Sequence, residues 1–277
     1  MRDPAYAKGM SKDYGRKRFW CPREGSYSLA DQGFLADPEA EYGQEFNPDL
    51  TTFDRLQGVP CLAMLGEPGI GKSWTLSREA LSDEATAHGA KLLRFDLRQF
   101  GSEGRLFNAL FESEELRDWK DGSYDLHLYL DSLDECLLRI DNVATLLADE
   151  LPKLSVTRLK LRIACRIASW PSILEHELSD LYGKEGFRVF ELAPLRRVDV
   201  VQAAVIAGVS DAEQLLQRIH DLGIVPFAIK PITLNFLLET YLRNGNIPSN
   251  AEALYEQGCL ILCEERALHN NLTKGAF

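Results

Sequence analysis

Gly66-Glu67-Pro68-Gly69-Ile70-Gly71-Lys72-Ser73 is the stretch that decides how this chain folds. The apolar run Val59–Leu65 precedes it, and a helix-length segment from Trp74 to His88 follows. Strand, glycine-rich turn and helix in that order, with the spacing G-x-x-x-x-G-K-[ST], make a phosphate-binding loop. The chemistry requires these residue types. Glycines let backbone N–H groups converge on phosphate oxygens without side-chain obstruction. Lys72 can reach the β- and γ-phosphates of a nucleotide, and the Ser73 hydroxyl can hold Mg²⁺. The helix after the loop points its positive end at the anion. The candidate nucleotide contacts are therefore Gly66, Glu67, Pro68, Gly69, Ile70, Gly71, Lys72, Ser73 and Trp74.

Outward from the loop, short apolar runs alternate with helix-length segments. The runs are Val59–Leu65, Lys91–Leu97, Asp125–Asp131, Leu159–Cys165 and Phe187–Leu192, each the length of a buried strand. The helical stretches between them span roughly 72–88, 104–118, 138–151 and 171–182. Gly89 suits the C′ position of the first, and Pro152 helps end the third. Such alternation predicts a parallel sheet with helices on both faces. After residue 195 only helices are expected. Ser210 with Glu213 marks the start of one near 211–221, and Ser249 with Glu252 the start of another over 251–268. A further helix fits Thr233–Leu242. The expected organisation is an N-terminal tail and irregular segment over 1–57, an α/β domain over 58–195 and a helical subdomain over 196–277. Within the first part, residues 1–18 read as a mobile polar tail.

A second signal is Leu126-His127-Leu128-Tyr129-Leu130-Asp131-Ser132-Leu133-Asp134-Glu135, an apolar strand ending in an acidic cluster. Asp131, at the strand's C-terminal end, can bind Mg²⁺ directly or through water. Asp134 or Glu135 can orient or deprotonate an attacking water, and the sequence does not separate them. His127 reads as a packed core histidine. The third signal is Leu161-Arg162-Ile163-Ala164-Cys165-Arg166, a strand that ends in arginine. Ligands of parallel sheets sit beyond the carboxyl ends of the strands, so Arg166 can contact a γ-phosphate or an acidic loop residue.

Composition narrows the alternatives. The chain has 277 residues, 45% of them hydrophobic and 26% charged, which are ordinary globular values. No apolar stretch is long enough for a membrane span, and the N-terminus lacks both a secretory core and the glycine needed for myristoylation. A net charge of −11 argues against a general nucleic-acid binder. Residues 1–30 differ, with seven basic and three acidic residues, and read as a solvated basic arm. The six scattered cysteines read as buried free thiols of a reducing cytoplasm. Cys259 and Cys263 with His269 lack a second ligand pair for zinc. There is neither a G-x-S-x-G nucleophile elbow nor H-E-x-x-H, since His176-Glu177 leads to Asp180.

The order of these features resembles the NACHT division of the STAND signal-transduction ATPases, related to the AAA+ class. The motifs carrying the resemblance are GEPGIGKS (66–73), LYLDSLDE (128–135), RIACR (162–166), FELAPL (190–195) and KPITLNFLLETY (230–241). It covers roughly residues 58–268. It implies a five-stranded parallel sheet in the order 5-1-4-3-2, followed by a helical lid. It matches Lys72 and Ser73 to the phosphate-loop lysine and Mg²⁺ hydroxyl, Asp131 to the Mg²⁺-associated acid, and Asp134 and Glu135 to the catalytic acidic pair. Arg166 matches the sensor-1 arginine and Pro231 the proline that approaches the adenine. Relatives usually continue into a winged helix and a repeat-built sensor. These 277 residues show neither, so a fragment of such a protein is one reading, and the sequence does not tell whether the chain is full length. The implied function is a slow Mg²⁺-dependent ATPase switch whose ATP or ADP state sets lid position and self-association, in antiviral or immune-like defence. The alternative is a nucleotide-stabilised scaffold without significant turnover.

Overall fold

The strands predicted around the loop form one sheet in the computed structural model, which describes residues 17–86, 89–247 and Glu256. The strands are β1 (Trp20–Pro22), β2 (Cys61–Leu65), β3 (Lys91–Asp96), β4 (Leu126–Asp131), β5 (Leu159–Cys165) and β6 (Phe187–Leu192). Their spatial order is β1-β6-β2-β5-β4-β3. The expected sheet of five parallel strands is thus corrected to six strands of mixed direction. The added strand β1 runs antiparallel to β6, with Trp20 opposite Leu192, while all other neighbours pair in parallel. The full order differs from the expected one by this edge strand. Counted among themselves from β2, the five parallel strands lie in the order 5-1-4-3-2.

Side-chain alternation builds a core on each face of the sheet. Cys61, Ala63 and Leu65 of β2 join Leu128, Leu130, Leu161 and Ile163 in one cluster. Helices Glu103–Phe111, Val143–Glu150 and Ser172–Gly186 cover it through Leu106, Leu147 and Leu174. Leu62 and Met64 face the other way, against Leu76 and Ala80 of helix Lys72–Thr86 and Phe53 and Leu56 ahead of β2. Strands buried on both faces read in sequence as unbroken apolar runs, which is why β2 and β4 are so legible. His127 is buried in β4, as a core histidine should be. Cys21, Cys61, Cys136 and Cys165 are free and buried, and burial pushes the Cys165 thiol up to about 12.

The helices depart from expectation in detail. The single helix expected over 104–118 is two, Glu103–Phe111 and Glu114–Asp121, because Ser113 caps the second by accepting from Leu116 N–H at 3.3 Å. The stretch 138–151 holds helix Val143–Glu150, preceded by a separate turn of helix at Leu133–Leu137. The helix near 211–221 runs Ala212–Asp221, and its cap is Asp211 rather than Ser210, accepting from Gln214 N–H at 2.9 Å. The expected helix over 251–268 with its Ser249/Glu252 signal, the Cys259, Cys263 and His269 group, and the tail over 1–16 lie outside the described residues. Arg18 does not belong to a mobile tail, for its side chain is buried.

Contacts divide the chain into two units. One consists of Arg18–Ser26 with Asp49–Ala193 and holds the sheet. The other joins Tyr27–Pro48 to the described residues from Pro194 onward. In this second unit Phe34, Leu195, Val200, Leu215, Leu216, Leu234 and Leu237 form the core. Its helices are Arg197–Ala207, Ala212–Asp221, Val225–Ala228 and Pro231–Asn244. A buried ion network fixes the entry to the first of them. Arg196 donates to both carboxylate oxygens of Asp199 (2.9 and 3.0 Å) and to Asp37 (3.1 Å), and Asp199 is 1% exposed. Removing one partner of a buried pair strands the other charge. Asp199→Ala is therefore expected to destabilise this unit by about 3 kcal/mol, visible as a lower urea midpoint. An unchanged midpoint would show that the network contributes nothing. Among the described residues, no helix is long and apolar enough to cross a membrane.

Candidate functional site

Every parallel strand of the sheet delivers its last residue to the same edge, and the predicted site residues other than Pro231 lie there. β2 ends at Leu65, and the loop Gly66–Gly71 leads into helix Lys72–Thr86. Gly69 and Gly71 take φ of 76° and 98°, a left-handed backbone that side chains resist. Ile70 between them is buried, anchoring the loop in the core, while Glu67 and Pro68 are exposed. Thr75 locks the helix start by donating its N–H and its hydroxyl to the Gly71 carbonyl, both at 3.0 Å. Trp74 is half-buried, with the Arg78 guanidinium 5.4 Å from its ring centre.

Lys72 folds back over the loop. Its Nζ donates to the Gly66 carbonyl at 2.7 Å and the Glu67 carbonyl at 3.1 Å. Burial lowers its pKa, and Arg166 lowers it further against the opposing pull of Asp134. Ser73 Oγ donates to Asp131 Oδ1 at 3.0 Å. Asp131 is 2% exposed, and its second oxygen, Oδ2, is buried without a hydrogen-bond partner. Burial raises its pKa, which the Ser73 hydrogen bond partly offsets. A hydroxyl beside a carboxylate oxygen lacking a partner is a donor set suited to a hard divalent cation.

The acidic pair is separated by the turn that follows. Ser132 is left-handed at φ 61°, an uncommon conformation outside glycine, and its carbonyl accepts from Glu135 and Cys136 N–H at 3.2 Å. This turn starts helix Leu133–Leu137 and sends Asp134 inward. Asp134, 6% exposed, accepts from Arg166 N–H at 3.2 Å and pairs with Arg166 Nε at 2.6 Å. Glu135 stays outside, 40% exposed, with Arg166 Nη2 at 4.0 Å. The geometry therefore distinguishes two acids that the sequence left equivalent. Asp134 is committed to holding Arg166, and Glu135 is accessible.

Residues 66–74, Asp131, Asp134, Glu135 and Arg166 thus belong to one unit and one sheet edge. Pro231 belongs to the other unit, in the first turn of helix Pro231–Asn244. Two nearby residues escaped the sequence reading. Asp96 ends β3 directly opposite Asp131 in register and is gripped by Arg98 through Nε at 2.9 Å and Nη2 at 2.7 Å. Its signal was an Asp closing an apolar run, as in Leu126–Asp131. Arg18 donates to the Ile70 carbonyl of the loop at 3.0 Å. Nothing in the sequence around it marks that contact.

No protein-family model matches this sequence, and no curated protein matches it. Among solved structures, the chain is similar to domain III of the Thermotoga maritima replication initiation protein DnaA. That match has 13% identity, covers 75% of this chain and 85% of that one, and has a TM-score of 0.44. A second match is C. elegans PCH-2, with 9% identity, 78% and 63% coverage and a TM-score of 0.44. A third is the Thermotoga maritima RuvB Holliday junction branch migration motor, with 14% identity, 71% and 65% coverage and a TM-score of 0.38. At TM-scores this low, the likenesses carry no argument about this chain.

Proposed function

We propose that this chain is the nucleotide-binding part of a cytoplasmic ATP-driven switch that hydrolyses ATP slowly with Mg²⁺, of the NACHT type its motifs resemble. The observation that carries the reading is the Ser73–Asp131 pair, 3.0 Å apart across the sheet edge, with the second Asp131 oxygen buried and unpartnered. Ser73 and Asp131 would hold Mg²⁺, which when bound neutralises phosphate charge. The loop backbone and Lys72 bind the phosphates. Glu135 orients a water and accepts its proton, an assignment supported by its exposure and by the commitment of Asp134 elsewhere. Arg166, held by Asp134, stabilises charge at the same edge. Pro231 and the second unit act as the adenine contact and lid, and nucleotide exchange shifts the unit between states that favour or oppose self-association. Such a shift requires the two nucleotides to bind those states unequally. The role in antiviral or immune-like defence rests on family analogy.

The test is to extract and identify nucleotide that co-purifies with the chain, then follow a single turnover of ATP. Tightly held ADP and slow Mg²⁺-dependent hydrolysis are expected. Fast steady turnover from an empty site would point to a motor or metabolic ATPase, and bound nucleotide without turnover to a scaffold.

A further inference from the structure

A phosphate loop works only if its peptide N–H groups face inward, and in this loop one peptide ends at a glycine of left-handed backbone. The Ile70–Gly71 bond joins a residue that follows Gly69 to Gly71 itself, both glycines in the left-handed region. This peptide rotates about ψ of Ile70 and φ of Gly71, and a glycine crosses between backbone regions at little cost, so its Gly71 side offers little resistance. A contact from outside the loop can therefore help to set its orientation.

Arg18 supplies that contact. Its Nη1 donates to the Ile70 carbonyl at 3.0 Å, and its Nη2 donates to the Ala193 carbonyl, just past β6, at 2.7 Å. The side chain is 7% exposed. Its own position is fixed as well. Phe19 accepts from Ala193 N–H at 2.9 Å, and Trp20 exchanges hydrogen bonds with Thr51 at 2.8 and 3.0 Å. The two contacted carbonyls belong to different elements, and the planar guanidinium reaches each with a separate nitrogen. Because the peptide is planar and trans, its carbonyl and its N–H point in opposite directions. Holding the Ile70 carbonyl toward Arg18 therefore turns the Gly71 N–H away from it.

We propose that Arg18 is a positioning residue of the nucleotide site, holding the Ile70–Gly71 peptide so that the Gly71 N–H is presented to a phosphate. The inference rests on the nucleotide-binding reading above. It makes Arg18, two residues ahead of β1 and 48 before the phosphate loop begins, part of the site.

The experiment is calorimetric titration of ATP into the 277-residue chain and its Arg18→Met and Arg18→Lys variants, with thermal unfolding and far-UV circular dichroism in the absence of nucleotide. Arg18→Met is expected to weaken ATP about tenfold per folded molecule, the order of one charge-assisted hydrogen bond. Arg18→Lys, which keeps the charge but has one nitrogen where the guanidinium uses two, is expected to fall between it and the unaltered chain. A residue that merely supports the fold would lower the melting temperature and leave affinity alone. A loss of less than threefold in Arg18→Met therefore overturns the proposal. Should Arg18→Met fail to fold, Arg18→Gln, which also removes the charge, replaces it under the same threefold criterion. Lys72→Ala is run in parallel. If it binds ATP as well as the unaltered chain does, the nucleotide reading and this inference fall together; if it loses ATP while the Arg18 variants keep it, only the Arg18 assignment fails.

Discussion

Lys72→Ala is expected to weaken ATP binding by at least about a hundredfold while leaving the chain folded. The size follows from the number of charge-assisted hydrogen bonds that one ammonium makes to phosphate oxygens. Lys72 Nζ now rests on the Gly66 and Glu67 carbonyls, so the cation is already stationed over the loop. Lys72 is half-buried there, and that burial lowers its pKa. A phosphate would exchange two neutral carbonyl partners for anionic ones. The fold should tolerate the change because the loop's anchors are Ile70 in the core and Thr75 on the Gly71 carbonyl. Calorimetric titration with ATP measures the effect, and unchanged affinity would remove Lys72 from the site.

Glu135→Gln is expected to keep ATP affinity within a few-fold and to slow single turnover by about 10²–10⁴-fold. Glutamine keeps the shape and hydrogen-bonding reach of the side chain but cannot accept a proton at neutral pH. Asp134→Asn should behave differently. Asp134 is buried and holds both the backbone N–H and the guanidinium of Arg166, so neutralising it should cost about 1–3 kcal/mol of stability as well as activity. The two variants are distinguished by pairing the hydrolysis rate with the melting temperature. If Glu135→Gln and the double variant both turn over at the unaltered rate, the water-orienting role is wrong.

What the sequence revealed and what it hid follow from how each signal is encoded. Strands Cys61–Leu65 and Leu126–Asp131 are buried at every position and stood out as apolar runs, while Leu159–Cys165 and Phe187–Leu192 were legible to the residue because their apolar residues outweigh the charged ones between them. The phosphate loop was legible because its chemistry fixes residue types over eight consecutive positions. β1 was hidden because it is three residues long and contains a proline, so it lacks the length and the alternation of a strand. Helix Arg197–Ala207 was hidden because its cap is the Arg196–Asp199 pair, not one of the small polar residues that usually mark a helix start. Arg18 was hidden for a different reason. Its partners are 52 and 175 residues away, and no local pattern records that a charged residue will be buried by distant carbonyls. The division of labour between Asp134 and Glu135 depends on a left-handed Ser132, which no residue type at that position announces.

The brevity of β1 also governs what the sheet does when molecules meet at high concentration. An unprotected outer strand recruits foreign strands through its free backbone groups. Here Trp20 already spends its outward N–H and carbonyl on Thr51, and Pro22 has no N–H to give. Without it, β6 would form that margin. At the opposite margin, β3 carries Lys91 and Arg94, charges that discourage edge-to-edge pairing. Both margins thus carry features that discourage strand addition.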